Sequence, residues 1–289
     1  MSAAARRAGA PRLLEALAPL RRRPSVLLAV TVVAGVTVLA LLAPWVAPYD
    51  PAAAVGPTQA PSALFPLGTD GAGRDVLSRL LHGARISLAV AAVATLVAAT
   101  LGTAVGAVAG YAGGRTDALL MRLVDALLAL PRILVLIALF ALWEGLPLPV
   151  LVLLLGAMAW FPLSRLVRAQ VRAAASLEYV LAAQALGAGR ARVVLRHVLP
   201  NVAGAVLVAS TLVAGEVIVA EAGLSFFGVG VQPPDASWGS MLDDARGYGF
   251  AHWWTALPPG LALALTVMAI NHLGDALRDA LDPRQLPQP

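Results

Sequence analysis

The 289-residue chain has no cysteine. That excludes a secreted disulfide scaffold and any thiolate metal centre. Lysine is missing too, since all 21 basic residues are arginine. The phosphate-cradling motif G-x-x-x-x-G-K-[ST] requires a lysine, so P-loop ATP hydrolysis cannot reside on this chain. Charge is scarce: Arg, Asp and Glu make up 13% of residues, against about 25% in a soluble domain. The four histidines, His82, His197, His252 and His272, fall on separate segments with no H-E-x-x-H motif, so metal ligation has no support. No Ser/His/Asp arrangement, internal repeat or pair of inverted repeats is visible. The last absence counts against an ion-coupled secondary transporter. What is present is apolar: 59% hydrophobic residues and a mean hydropathy of +0.80. A soluble fold could not cover itself with so little polar surface, and intrinsic disorder is excluded for the same reason. The chain reads as an all-α integral membrane protein.

A hydrocarbon layer needs roughly 20 apolar helical residues to be crossed. Six segments qualify: 26–46, 86–108, 123–143, 148–163, 202–222 and 257–277. Arg21, Arg22 and Arg23 precede the first, whose apolar run exceeds the roughly 7–15 residues of a signal-peptide core, so it reads as a span. With the N-terminus placed in the cytoplasm, cytoplasmic segments hold 16 arginines and external ones hold four, Arg74, Arg79, Arg85 and Arg246. This is the positive-inside pattern, and it puts both termini in the cytoplasm. The high pI of about 10.6 is thereby explained without nucleic acid. The expected organisation is a cytoplasmic tail (1–25), the first span (26–46), an external segment (47–85), a five-helix core (86–277) and a cytoplasmic tail (278–289). Within the external segment, Val76, Leu77, Leu80 and Leu81 lie among Arg74, Arg79 and Arg85, which predicts a short interfacial helix over 75–85.

The loop 164–201, between spans four and five, is the most informative stretch. Ser176 is a candidate N-cap and Glu178 falls in the first turn of a helix, where the dipole favours an acid. Tyr179, Val180, Leu181, Ala182, Ala183, Gln184, Ala185 and Leu186 follow, and Gly187 supplies a stop. Arg190, Arg192 and Arg196 then lead to Leu199, Pro200 and Asn201 at the start of span five. The spacing Ala-Ala-x3-Gly with Leu-Pro further on resembles the EAA loop of ABC-importer permeases. The family's acid directly before Ala182-Ala183 is absent; Leu181 stands there, and Glu178 is the candidate substitute.

Three further stretches resemble the C-type permease of the dipeptide/oligopeptide/nickel group: Pro66 to Arg79 (PLGTDGAGRDVLSR), Leu224 to Pro234 (LSFFGVGVQPP) with Ser237 to Leu242 (SWGSML), and Gly274 to Arg284 (GDALRDALDPR). The resemblance implies a permease that forms half of a peptide path, with nickel or another small solute as the alternative cargo. It implies a homologous second permease, two ATP-binding subunits and an external solute-binding protein as partners, a setting in membrane lipid, and no nucleic acid. ATP and Mg would then sit on the partner subunits, with no cofactor on this chain. Glu178, Tyr179, Ala182, Ala183, Gly187, Leu199 and Pro200 would belong to a coupling helix that docks on an ATP-binding subunit.

Ionisable groups inside spans mark structure or a path. Asp125 and Arg132 are seven residues apart on one face of span three, separated by Pro131, and pair with each other or with other spans. Glu216 lies deep in span five, and Glu221 lies near its border. Asp125, Arg132 and Glu216 are the candidate path or gate residues. Asn271, His272 and Asp275, near the inner end of span six, read as interhelical hydrogen bonds rather than a site. Trp253 and Trp254 read as an aromatic belt. Gly102, Gly106 and Gly110 read as a small-x3-small seam against another span. The resemblance implies that the stretch with Gln232, Pro233, Pro234, Trp238 and Gly239 either faces the solute-binding protein or caps the external gate.

Overall fold

The computed structural model describes residues 23–142 and 147–281. The tail 1–22, Trp143 at the end of span three and the last motif residues from 282 onward lie outside the described residues. Among the described residues the chain is all helix, with two isolated bridges and no strand. Five helices are long and apolar enough to cross a membrane, and a bent pair makes the sixth candidate.

Helix α1, Pro24–Val46, carries Pro24 in its first turn, where the missing N–H costs nothing. Helix α2, Val76–Ala112, is capped by Asp75, whose carboxylate accepts from the Ser78 amide at 2.7 Å. It ends at Gly113, whose φ of +62° disfavours a side chain. Helices α3, Gly114–Leu128, and α4, Arg132–Leu142, are the halves of span three. They meet at 71°, and the break falls at Pro131, which cannot continue the hydrogen-bond ladder. Helix α5 is Leu148–Ala175, followed by the short α6, Glu178–Ala185, and α7, Arg190–Val193. A π-turn, Val194–Val198, joins α7 to α8, Leu199–Phe226. Helix α9, Trp238–Arg246, starts in a capping box of Ser237 and Ser240. Helix α10, Trp253–Leu281, closes the bundle.

The centre is α2 against α5. The glycine seam of α2 does meet another span: a Cβ on Gly102 would touch Leu163, one on Gly106 would stand 2.5 Å from the Ser164 carbonyl oxygen, and one on Gly110 2.6 Å from that of Arg168. Helix α8 lies across this pair, and Val90, Ala94, Leu136, Leu151, Leu155, Val217 and Leu224 form one core from α2, α4, α5 and α8. Helix α1 packs outside, against α2 and α10. Arg23 pairs with Asp279 at 2.9 Å, so the start of α1 and the end of α10 share one end of the bundle. Gly204 in the first turns of α8 faces Leu281, which places the start of α8 there too.

The opposite end is more ordered than the sequence suggests. Residues 76–85 are not a separate interfacial helix but the first turns of α2. Arg79 is buried there, its charge met by Asp70 at 2.8 Å and Asp244 at 2.7 Å. Arg74 joins the same two carboxylates, at 2.7 and 2.8 Å. Burial pushes the Asp244 carboxyl above its ordinary range, and the Arg74 charge pulls it back. Trp254 is buried and donates its indole N–H to the Thr69 carbonyl at 3.1 Å, so only Trp253 of the pair has the exposure of a belt residue. Trp238 is buried too, donating to the Leu80 carbonyl, and Gly239 packs directly on Ala222; the exposed part of that stretch is 232–235. Glu221 is fully buried within the protein, accepting from the Ser87 hydroxyl at 3.2 Å and the Ser225 hydroxyl at 2.7 Å.

Candidate functional site

Two features stand out from packing that otherwise only holds helices together: a short exposed helix at one end, and a charged cleft between spans.

Helix α6 sits between α5 and α8. Ser176 does not cap it; Leu177 holds the N-cap position, and the Ser176 hydroxyl donates back to the Ala173 carbonyl of α5. Glu178 is in the first turn, as its charge favours. At the other end the Gly187 N–H bonds the Gln184 carbonyl and the Ala188 N–H reaches the Ala183 carbonyl. Those paired bonds make a Schellman stop, and Gly187 takes the left-handed φ of +82° that it requires. Among the described residues no other atom lies within 4 Å of where a Gly187 side chain would go, so within this chain the glycine serves backbone shape.

Only Val180 of α6 is fully buried, packed among Val167, Val171, Ala174, Val193 and Val198. Two polar contacts assist: the Tyr179 hydroxyl donates to the His197 carbonyl and the Gln184 amide to the Tyr111 hydroxyl, both at 3.3 Å. Ala182 is exposed and Ala183 half-buried. Leu177, Tyr179, Leu181 and Leu186 present apolar surface outward, Leu186 at 89% exposure. Apolar surface gathered on so small an element suits contact with a partner or with lipid. Leu199 is half-buried and Pro200 exposed at the first turn of α8, which they start rather than touching α6's outer face.

The cleft has a volume of about 400 Å³ and is lined from α4, α8 and α10. Arg132 and Glu216 meet in it, with Arg132 Nη1 3.8 Å from Glu216 Oε2. Ile133, Leu212, Val219 and Val267 form apolar wall, and Asn271 completes the lining. Asn271 does lie against another helix, over Gly215 of α8, where a Cβ would stand 2.7 Å from its Oδ1, but among the described residues the side chains of Asn271, His272 and Asp275 make no hydrogen bond, and His272 and Asp275 are exposed. Asp125 is not among the cleft's lining residues. The break at Pro131 takes it off the face of Arg132, and it pairs with Arg165 of α5. A second clasp between the same helices, Asp117 with Arg168, lies two turns earlier on α3. Sequence reading found Arg132 and Glu216 as intramembrane charges. It could not find the Asn271 lining, because nothing local separates it from other polar residues of α10.

Long apolar helices around a charged cleft are the make-up of a multi-pass membrane protein. Residues 102–286 match the family described as binding-protein-dependent transport system inner membrane component, and residues 13–65 match the N-terminal transmembrane domain of oligopeptide transport permease C. The chain belongs to the binding-protein-dependent transport system inner membrane component family. A di/tripeptide transport system permease protein of Pseudomonas aeruginosa is 42% identical, over 85% of this chain and 83% of its own. A dipeptide transport system permease protein of Bacillus subtilis is 41% identical, over 78% and 70%. A nickel transport system permease protein of Escherichia coli is 40% identical, over 91% and 96%. The chain is therefore a permease subunit of the bacterial inner membrane, acting with other subunits of a transport complex, and not itself an enzyme.

Proposed function

We propose that this chain forms half of the peptide path of an ATP-driven ABC importer, with α6 as its coupling helix. The observation that carries the reading is the mounting of α6: one buried valine holds it, and its large side chains Tyr179 and Leu181 are half exposed. A helix so placed can move as a unit with a partner while its anchor transmits the motion to α5 and α8. The partners are a homologous permease, two subunits that bind ATP and Mg, and an external solute-binding protein. No cofactor sits on this chain, and its other surroundings are lipid rather than nucleic acid. The arginine imbalance supports α6 and both termini on the cytoplasmic side, and the end with Asp70, Trp238 and Gln232 outside.

In this mechanism ATP binding draws the ATP-binding subunits together, α6 carries the closure to α5 and α8, and the spans reorient. Cargo passes along the wall that includes Arg132 and Glu216, while Asp125 fastens α3 to α5. No covalent step occurs on this chain. The similarity to permeases whose names specify di- and tripeptides supports peptide cargo; that to the nickel permease keeps nickel as the second reading.

Gly187→Asp in the assembled importer tests the coupling role. The expected result is loss of uptake with the chain still at its normal level in the membrane; normal uptake would overturn it. Calorimetry of the cognate solute-binding protein with a dipeptide and with Ni²⁺ decides the cargo.

A further inference from the structure

Among the described residues the Arg132–Glu216 pair is unlike every other ion pair that joins spans. Asp125–Arg165 and Asp117–Arg168 are closed, hydrogen-bonded clasps. Arg132 and Glu216 stand 3.8 Å apart, beyond hydrogen-bond distance, and among the described residues neither side chain makes a hydrogen bond. The guanidinium keeps its donors and the carboxylate its lone pairs. Both open into the cleft, at 30% and 58% side-chain exposure. Charges in a span are costly, and a pair left this loose has not been arranged to fasten helices.

We propose that Arg132 and Glu216 are a subsite for the two charged ends of a zwitterionic short peptide. The Arg132 fork takes the C-terminal carboxylate and Glu216 takes the terminal ammonium. Arg is suited to that half because its planar donors match a carboxylate two at a time. The exchange is charge-balanced: one loose protein pair opens, two cargo pairs form, and the cleft remains neutral. No net charge has to be desolvated on entry. Asn271 offers an amide to the peptide bond, and Gly215 makes room for it. Ile133, Leu212, Val219 and Val267 accept uncharged side chains, which lets one site serve many sequences. The cleft volume of about 400 Å³ falls in the roughly 300–1,000 Å³ range of small-ligand sites. A dication would add two positive charges to a cleft whose own charges already cancel.

This inference rests on the peptide reading above, and the test separates the two. The complete importer is placed in nanodiscs, and a dipeptide of photo-leucine and alanine is cross-linked to it. Adducts are mapped by mass spectrometry. The expected adducts lie at Ile133, Leu212, Val219 or Val267. Excess unlabelled dialanine should suppress them, and N-acetyl-dialanine amide, which lacks both charges, should not. Arg132→Gln and Glu216→Gln should each cut labelling roughly tenfold or more, as expected when one member of a charge pair is removed. Arg132→Lys, which keeps charge and loses the fork, should fall between. Equal competition by the blocked peptide on the unaltered complex overturns the subsite without any variant having to fold. So does undiminished labelling in both neutral variants. If the solute-binding protein delivers peptide for uptake while those results appear, the subsite fails and the peptide reading stands. If it binds only Ni²⁺, both fail.

Discussion

Gly106 lies so close to the backbone of α5 that a single added methyl would stand 2.5 Å from the Ser164 carbonyl oxygen and 2.7 Å from Val167 Cβ. Backbone meets backbone there, and no flexible side chain can yield. Gly106→Ala should therefore push α2 and α5 apart, at a cost of about 1–3 kcal/mol. Gly35→Ala in α1 is the control, because nothing lies within 4 Å of that position. Detergent melting curves and membrane levels should fall for the first and hold for the second. Equal behaviour of the two would mean that the seam does not set the helix spacing.

The network around Arg79 makes a second prediction. This arginine is buried, so its two carboxylate partners are its only compensation, and its Nε is left without one. Arg79→Leu leaves two carboxylates, Asp70 and Asp244, to share the single charge of Arg74. Breaking a buried pair by removing one partner costs about 3–5 kcal/mol, so the chain should lose stability and membrane level together. Arg23→Leu, whose partner Asp279 is half exposed, should cost about 0–1 kcal/mol. A melting experiment that found the two substitutions equivalent would contradict the burial argument.

That network also shows where sequence reading stops. The spans are legible because each is a long apolar run, and the break in span three is legible because Pro131 has a local consequence. The stop after α6 is legible in Gly187. Residues 76–85 are misread because three arginines look like a water boundary, and the acids that neutralise Arg79 include one 165 positions away. Trp254 is misread for the same reason: its acceptor, the Thr69 carbonyl, is 185 positions distant. Half of the cleft is visible as two lone intramembrane charges. Their meeting, and the addition of Asn271, depend on how α4, α8 and α10 pack. The pairing of Asp125 depends on the bend, because a straight helix would have kept it on the face of Arg132.

The anchor of α6 yields the last prediction. Val180 alone fixes the helix to the valine cluster beneath it, and the two polar contacts beside it are long, at 3.3 Å. Val180→Ala removes two methyl groups from a fully buried site, a loss of about 1–2 kcal/mol. That is small against the stability of the bundle but large for an eight-residue helix with one buried side chain. Stability of the whole chain should hardly change, while hydrogen exchange should rise over 178–185 and not over the spans. If α6 couples ATP hydrolysis to the spans, the same change should leave hydrolysis running in the assembled importer while uptake falls, because the lever turns without moving what it is fixed to. Leu186→Ala is the complementary test: Leu186 points outward, so its loss should weaken association with the ATP-binding subunits and leave exchange over α6 unchanged. Uptake and hydrolysis falling in strict proportion in Val180→Ala would show that the anchor does not transmit the stroke.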